Sequence, residues 1–298
     1  MVKKNQDGVA GRLWVFGAGY VGSALCRQAL AAGWQVRALT RNAGTAALLQ
    51  NDGIECVVAD IASKDWHENV GRWPDAVVNC VSSGGGGLDG YRRSYLEGAA
   101  SLAAWRAAAR FTGTTVYTGS TSVYPQGAGQ SLDETADTGS GTTELGEILL
   151  QTERTLMDGP GRTFILRLSG IYGPGRHHLL DALRAGETCL PGRGDFHLNL
   201  VHRDDIVKAI GCAIGAEPDI TGGIFNITDD TPSLKQEVVS WLAEKLGKPT
   251  PTFSGEPASG RRRIVPDRIV LNRKAKAILG WSPAFPSFRE GYAAILGA

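Results

Sequence analysis

The sequence predicts an α/β protein, built as a doubly wound parallel sheet with a smaller mixed lobe at its C-terminal side. Three observations predict it. Short apolar runs alternate with helix-length stretches through the first half, a glycine triplet sits between the first run and the first helix, and the rhythm breaks near residue 170. The apolar runs are LWVF at 13, QVRAL at 35, ECVVA at 55, AVVNCV at 76, TTVYT at 114 and TFILRL at 163. Runs this uniformly apolar suit parallel strands covered on both faces. Residues 20–32 and 94–110 carry apolar side chains at helical spacing and supply crossover helices. A further helix is expected over 144–157, stopped by Asp158, Gly159 and Pro160.

Beyond Leu168 the pattern loosens into SGIYGPGR and LPGRGD, followed by helices near 204–215 and 233–246. The expected division is a disordered arm over 1–10, a nucleotide-binding domain over 11–170, and a lobe over 171–298. Segments around 200–230, including GGIFNIT at 222, are expected to return to the large domain. The run Gly84 to Gly87 is either a loop free to move beside a ligand or a plain surface connection. RRRIV at 261 is expected at the surface.

With 298 residues the chain can bury a substantial core without disulfides. Thirty-one basic against thirty acidic residues leave a net charge of +1, which argues against nucleic acid or an anionic membrane as partner and for a small molecule. Five scattered cysteines without a CxxC pair point to reduced packing residues and a cytoplasmic protein. No apolar run is long enough to span a bilayer, and the first ten residues lack a signal-peptide core. No set of His and carboxylate residues has ligand spacing on one element, so no metal is expected.

The strongest chemical signal is LWVFGAGYVGSALCRQALAAGWQVRALTR, which sets GxGxxG between a strand and a helix and continues into a second strand. This is the Rossmann-type pattern. Gly17 makes the tight turn, Gly19 lets the backbone approach a pyrophosphate, and Gly22 lets helix and strand pack closely. Tyr20 and Val21 extend that contact along the helix start. The second strand ends Leu39, Thr40, Arg41, without the carboxylate that bonds a ribose 2′-hydroxyl. An Arg there pairs with a 2′-phosphate, so NADP is expected over NAD unless Arg41 is a solvated surface charge. Asp60 either bonds the adenine amino group or caps the next turn; Ile61, Val81 and Ser82 are expected to complete the cofactor wall.

The chain resembles the extended and atypical branch of the short-chain dehydrogenase/reductase superfamily, related to nucleotide-sugar epimerases and dehydratases. The resemblance rests on GAGYVG at 17, VVAD at 57, VYTGSTSVYP at 116, LRLSGIYGPGR at 166, LVHRDD at 200, FNITDD at 225 and AILGW at 277. It implies that Ser120 bonds the reacting oxygen. It also implies an acid/base Tyr followed four residues later by Lys, and the family interval counted from Ser120 or back from Glu153 leads to Leu145 and Leu149 instead. The Arg-Asp pair by which sugar-nucleotide enzymes clamp a diphosphate corresponds to Leu198 and Asn199. A proton donor must then come from elsewhere, with Tyr124, Tyr172, His177 and His178 to be weighed. Ser83, Arg176, Arg193 and Asn199 are the expected substrate contacts, and pairing of two copies through the long helices is what the family suggests. The expected function is that of an NAD(P)-binding oxidoreductase or epimerase/dehydratase-like protein with a degenerate catalytic site, acting on a small polar substrate, sugar-like compounds included. The alternative is an NADP(H)-binding sensor or scaffold without turnover.

Overall fold

In the computed structural model, residues 10–70, 74–139, 141–256 and 267–297 are described. Residues 1–9 of the arm and the RRRIV run lie outside them. Among the described residues up to 120, five strands occur: β1 (Arg12–Phe16), β2 (Gln35–Thr40), β3 (Glu55–Val58), β4 (Ala76–Asn79) and β5 (Thr114–Ser120). Strands Arg162–Leu168 and Gly222–Ile227 join them in one sheet ordered Gly222–Ile227, Arg162–Leu168, β5, β4, β1, β2, β3. Every pairing in it is parallel. The order turns back at β1, which lies between β4 and β2. A parallel sheet that reverses there opens a crevice past the carboxyl ends of its strands.

Both faces are covered, which is why the strands read as nearly unbroken apolar runs. On one face Leu25, Cys26 and Ala29 of α1 (Tyr20–Ala31) and Ile206, Ala209 and Ile210 of the helix Arg203–Ile214 pack on Leu13, Val15 and Val78. On the other, Trp14, Phe16, Trp66, Trp105 and Tyr117 form a largely aromatic layer. A separate cluster containing Leu180, Leu183, Val238, Leu242, Phe288 and Tyr292 makes the core of the C-terminal lobe. The lobe is stitched on by two-residue and three-residue ladders, among them Gly170–Tyr172 with Leu200–His202 and Arg268–Val270 with Gln130–Leu132.

The helix expected over 144–157 spans Glu144–Met157, capped by Thr143, whose hydroxyl accepts from the Gly146 amide. The helix expected over 94–110 begins earlier, at Gly87, and runs through a π-helical segment, Arg92–Glu97, before Gly98–Ala108. Glycine's poor helix propensity hid its start. Gly98 sits so close to Ile61 that a Cβ there would lie 2.7 Å from Ile61 Cγ2. The four-glycine run leads into this helix and borders the crevice.

Candidate functional site

The crevice past β1, β2 and β4 is a cavity of about 470 Å³ lined by Gly17, Ala18, Gly19, Thr40, Arg41, Asp60, Ile61, Val81 and Ser82, with Gly84 and Ser94 at its rim. Its floor is the turn from β1 into α1. Gly17 has φ +84°, and a Cβ on it would stand 2.6 Å from the Val81 nitrogen. The Gly17 and Ala18 amides donate to Leu39 O at 2.8 and 3.2 Å, tying the turn to β2. Gly22 lies against Gly17 O, 2.2 Å from where a Cβ would be. Around Gly19 the opposite holds, since a Cβ there meets nothing within 4 Å among the described residues. The turn is therefore tight wherever protein touches protein and open at Gly19, above the first turn of α1, whose leading amides have no acceptor within the helix. A doubly charged phosphate bridge fits that opening.

At the far end of the cleft, Arg41 donates to Ser83 O at 3.4 Å and stands 3.9 Å from Asp60. Asp60 accepts from the Ala62 amide at 2.9 Å and from Arg93 Nε at 2.9 Å. Burial works to raise the Asp60 carboxyl, but these hydrogen bonds and the two guanidinium charges outweigh it and leave the group below its usual range. Asp60 therefore caps its turn, the second of the two roles open to it, while also lining the cleft. Arg93, which the sequence did not single out, enters from the π-helical segment; its distance of 33 residues from Asp60 left no local signal. Cys80 lines the cleft as well, and burial pushes its thiol up to about 12.

Tyr20 is the first residue of α1. Its hydroxyl donates to Pro174 O at 3.0 Å, and Arg203 and Arg176 lie 5.3 and 5.6 Å from its ring centre. Val21 and Gly22 are buried in α1.

Ser120 ends β5. Its Oγ accepts the Ser122 amide at 3.1 Å, which leaves its own proton for donation to another group. Leu145, half-buried, and Leu149, 1 % exposed, lie on the helix Glu144–Met157; Leu149 packs with Val123, Tyr124 and Leu150. Glu153 of the same helix forms a buried pair with Arg167, at 3.0 and 2.7 Å. Arg167 in turn lies over the Tyr124 ring at 5.0 Å.

Several residues weighed as proton donors or substrate contacts are held elsewhere. Tyr124 is 1 % exposed, donates to Asn226 Oδ1 at 2.8 Å, and belongs to the core beneath the helix. Tyr172 is buried in the lobe, stacked on Tyr292 at 5.0 Å, and burial pushes its phenol far up. His177 precedes the helix His178–Arg184, with Nδ1 2.8 Å from Asp181, and His178 is exposed. Arg193 is an exposed partner of Asp195 at 2.7 Å. Asn199 spends its amide on backbone, donating to Arg268 O at 2.9 Å and accepting from the Val270 amide at 2.8 Å. Arg268 itself donates to Thr121 O at 3.0 Å and to Tyr124 O, holding the turn after Ser120. Of the expected residues, Gly17, Gly19, Thr40, Arg41, Asp60, Ile61, Val81 and Ser82 line one cleft, whereas Tyr124, Tyr172, Arg193 and Asn199 are held in structural settings.

His202 caps the helix Arg203–Ile214. His202, 2 % exposed, accepts from the Asp204 amide at 3.3 Å, whereas Asp205 accepts from the Ala284 and Phe285 amides at 2.5 and 3.0 Å. Among the described residues no group of His, Cys, Asp and Glu is arranged to hold a metal ion, and no helix is long and apolar enough to cross a membrane. A second cavity of about 470 Å³, lined by Arg12, Asp75, Trp105 and Gly113, opens at the amino ends of β1 and β5. Ligands of open parallel sheets generally bind at the opposite end, past the carboxyl ends of the strands.

Known proteins agree with this architecture. The chain is 30% identical over 153 residues to 3-diazoavenalumate denitrifying reductase from a Streptomyces species, 47% of this chain and 49% of that protein. It is 31% identical over 172 residues to protein YeeZ of Escherichia coli K12, 57% of this chain and 58% of that one. The matches therefore span about half the length of these relatives. In fold it is similar to MoeE5 in complex with UDP-glucose and NAD, with TM-score 0.82 and 23% identity over 96% of this chain and 98% of that one. It is similar as well to UDP-glucuronic acid 4-epimerase from Bacillus cereus in complex with UDP-glucuronic acid and NAD, with TM-score 0.81 and 19% identity over 96% and 98% of the two chains. The family model for the NAD dependent epimerase/dehydratase family matches residues 14–228, so the chain belongs to that family.

Proposed function

We propose that this chain is an NADP(H)-dependent oxidoreductase acting on a small polar carbonyl or alcohol, with a catalytic site that lacks the usual tyrosine and lysine. The observation that carries the reading is the cleft itself: an open backbone cradle at Gly19, and an arginine instead of a carboxylate where β2 ends. When bound, the dinucleotide supplies or takes up a hydride at C4 of its nicotinamide. The protein's part is to seat the pyrophosphate on the amides of α1, to meet a 2′-phosphate with Arg41, and to hold the substrate oxygen with the free proton of Ser120.

The Streptomyces relative, a reductase, supports the redox direction. The commitment of Asn199 to backbone, and Leu198 beside it, speak against a nucleotide diphosphate as substrate. Five free cysteines suit a reducing cytoplasm, and a homodimer through the long helices is consistent with the family.

Calorimetric titration with NADPH and NADH, followed by a screen of ketones, aldehydes and sugar nucleotides at the nicotinamide absorbance, tests the reading. Tighter NADPH binding and turnover that falls about 10²-fold in Ser120→Ala are expected. Equal or tighter NADH binding would remove the Arg41 argument. Leu149, buried where the relay would sit, favours a second reading, a dinucleotide sensor or scaffold. Tight NADPH binding with no turnover of any substrate would select it.

A further inference from the structure

The helix Glu144–Met157 carries leucine where the resemblance expects tyrosine and lysine, and a pair of phenols packs on the same cluster as Leu149. Tyr91 and Tyr95 lie four residues apart at the π-helical segment, with ring centres 4.5 Å apart. Both pack, half-buried, on the cluster that contains Leu149, Val123 and Tyr124. The Tyr95 phenol lies within electrostatic reach of Tyr91 and of the Ser83 backbone. Ser82 and Ser94, the sequence neighbours of Ser83 and Tyr95, both line the cofactor cleft. Tyr95 therefore stands next in sequence to a residue that lines the cleft and packs on the cluster that holds Leu149. π-Helical turns are rare and occur frequently at functional sites.

Behind this pair stands Tyr117. It is fully buried, and its hydroxyl has no hydrogen-bond partner among the described residues. It lies within electrostatic reach of Tyr95, Glu153 and Tyr91. Burial raises the Tyr95 phenol to about 12, with Tyr91 adding to the effect, so Tyr95 is a protonated donor at neutral pH.

We propose that Tyr95 is the proton donor of this site, and that Tyr91 returns its proton from solvent. The proposal rests on the oxidoreductase reading above. In the reductive direction, as a hydride from a bound dihydronicotinamide forms the new C–H bond at the carbonyl carbon, the C=O π pair moves onto oxygen. The Tyr95 O–H bond then breaks to protonate that oxygen. The phenolate left on Tyr95 takes a proton from Tyr91, which regains one from water. Ser120 holds the same oxygen.

The test uses the full chain, NADPH, and 4-nitrobenzaldehyde as a carbonyl probe, with Tyr95→Phe and Tyr91→Phe, both nearly isosteric. Tyr95→Phe is expected to lower kcat about 10²-fold while KM and NADPH affinity stay within twofold. Tyr91→Phe should lower kcat less. A second readout is independent of turnover: tyrosinate absorbance during alkaline titration with and without NADP+. The cationic nicotinamide ring should lower the ionisation of one phenol by about 1 unit in the wild type, and that shift should vanish in Tyr95→Phe. A kcat within twofold of wild type, or a shift that persists in Tyr95→Phe, overturns the proposal. If the wild type binds NADPH but leaves the probe untouched, the oxidoreductase reading fails with this carbonyl class, and the titration alone decides whether Tyr95 faces the ring. If the wild type binds neither coenzyme, both fall.

Discussion

Alanine in place of Gly19 should weaken coenzyme binding while leaving the fold almost untouched. In the free protein a Cβ at Gly19 meets no described atom within 4 Å, so no clash is introduced. Gly19 is the N-cap of α1, where Ala is less favourable than Gly by about 0.5–1 kcal/mol. Loss of freedom in the unfolded chain returns about 0.4–1 kcal/mol, so the net change stays within about 1 kcal/mol, or roughly 2–4 °C in Tm. Binding is another matter. The methyl group occupies the space through which a pyrophosphate reaches the backbone, and loss of one charge-assisted hydrogen bond costs about 1.5–3 kcal/mol. Affinity for NADPH should fall about 10- to 150-fold. Calorimetry for the Kd and thermal melts without ligand provide the two measurements. Gly22→Ala is the contrasting control, because its Cβ would stand 2.2 Å from Gly17 O and overpacking of this kind costs about 1–3 kcal/mol. If Gly19→Ala binds NADPH within threefold of wild type, the pyrophosphate does not sit where the cradle puts it.

Arg41→Ala should cost about 10- to 100-fold in NADPH affinity and leave NADH affinity nearly unchanged, because the 2′-phosphate distinguishes the two; parallel losses for both coenzymes would refute the assignment. Glu153→Gln leaves the Arg167 guanidinium, 3 % exposed, without its charge partner, and should lower stability by about 3–5 kcal/mol in urea unfolding; a loss under about 1 kcal/mol would show that the pair is dispensable. Asp229 is 3 % exposed, its Oδ1 finds no partner among the described residues, and burial pushes its carboxyl up to about 8, with Asp230, Asp205 and Glu290 adding like charge. Because the folded value lies above the ordinary 3.8, its stabilising effect is complete below pH 4 and is lost as pH rises to 8, so Asp229→Asn should gain on the wild type between pH 5 and pH 8 in denaturant melts. A wild-type minus variant difference that is flat over that range would contradict the burial argument.

Local chemistry made much of this fold legible. The strand Trp14–Phe16 region, the glycine turn and α1 follow one another within a few residues, so spacing alone carries them. Thr143 and Asp158 mark the ends of their helix by capping and stop chemistry that needs no tertiary partner. What stayed hidden depends on long-range contact. Arg93 matters because it reaches Asp60, and Arg268 because it reaches back to Thr121 across 147 residues. Asn199 looked like a polar group free for a substrate until the strand Arg268–Val270 was seen to occupy both ends of its amide. Asp205 likewise accepts from two distant backbone amides, those of Ala284 and Phe285. Tyr91 and Tyr95 carried no motif, and their meaning comes from the leucine they lie against.

The seventh strand, Gly222–Ile227, adds in parallel to Arg162–Leu168 and completes the sheet from a part of the chain that follows much of the lobe. During synthesis on the ribosome, the nascent chain therefore exposes the hydrogen-bonding groups of Arg162–Leu168 until that later segment has emerged, a template on which neighbouring copies could pair and aggregate. A truncation that ends near residue 170 would make this transient hazard permanent, and expression of the nucleotide-binding half by itself should yield insoluble material unless the missing strand is supplied in trans.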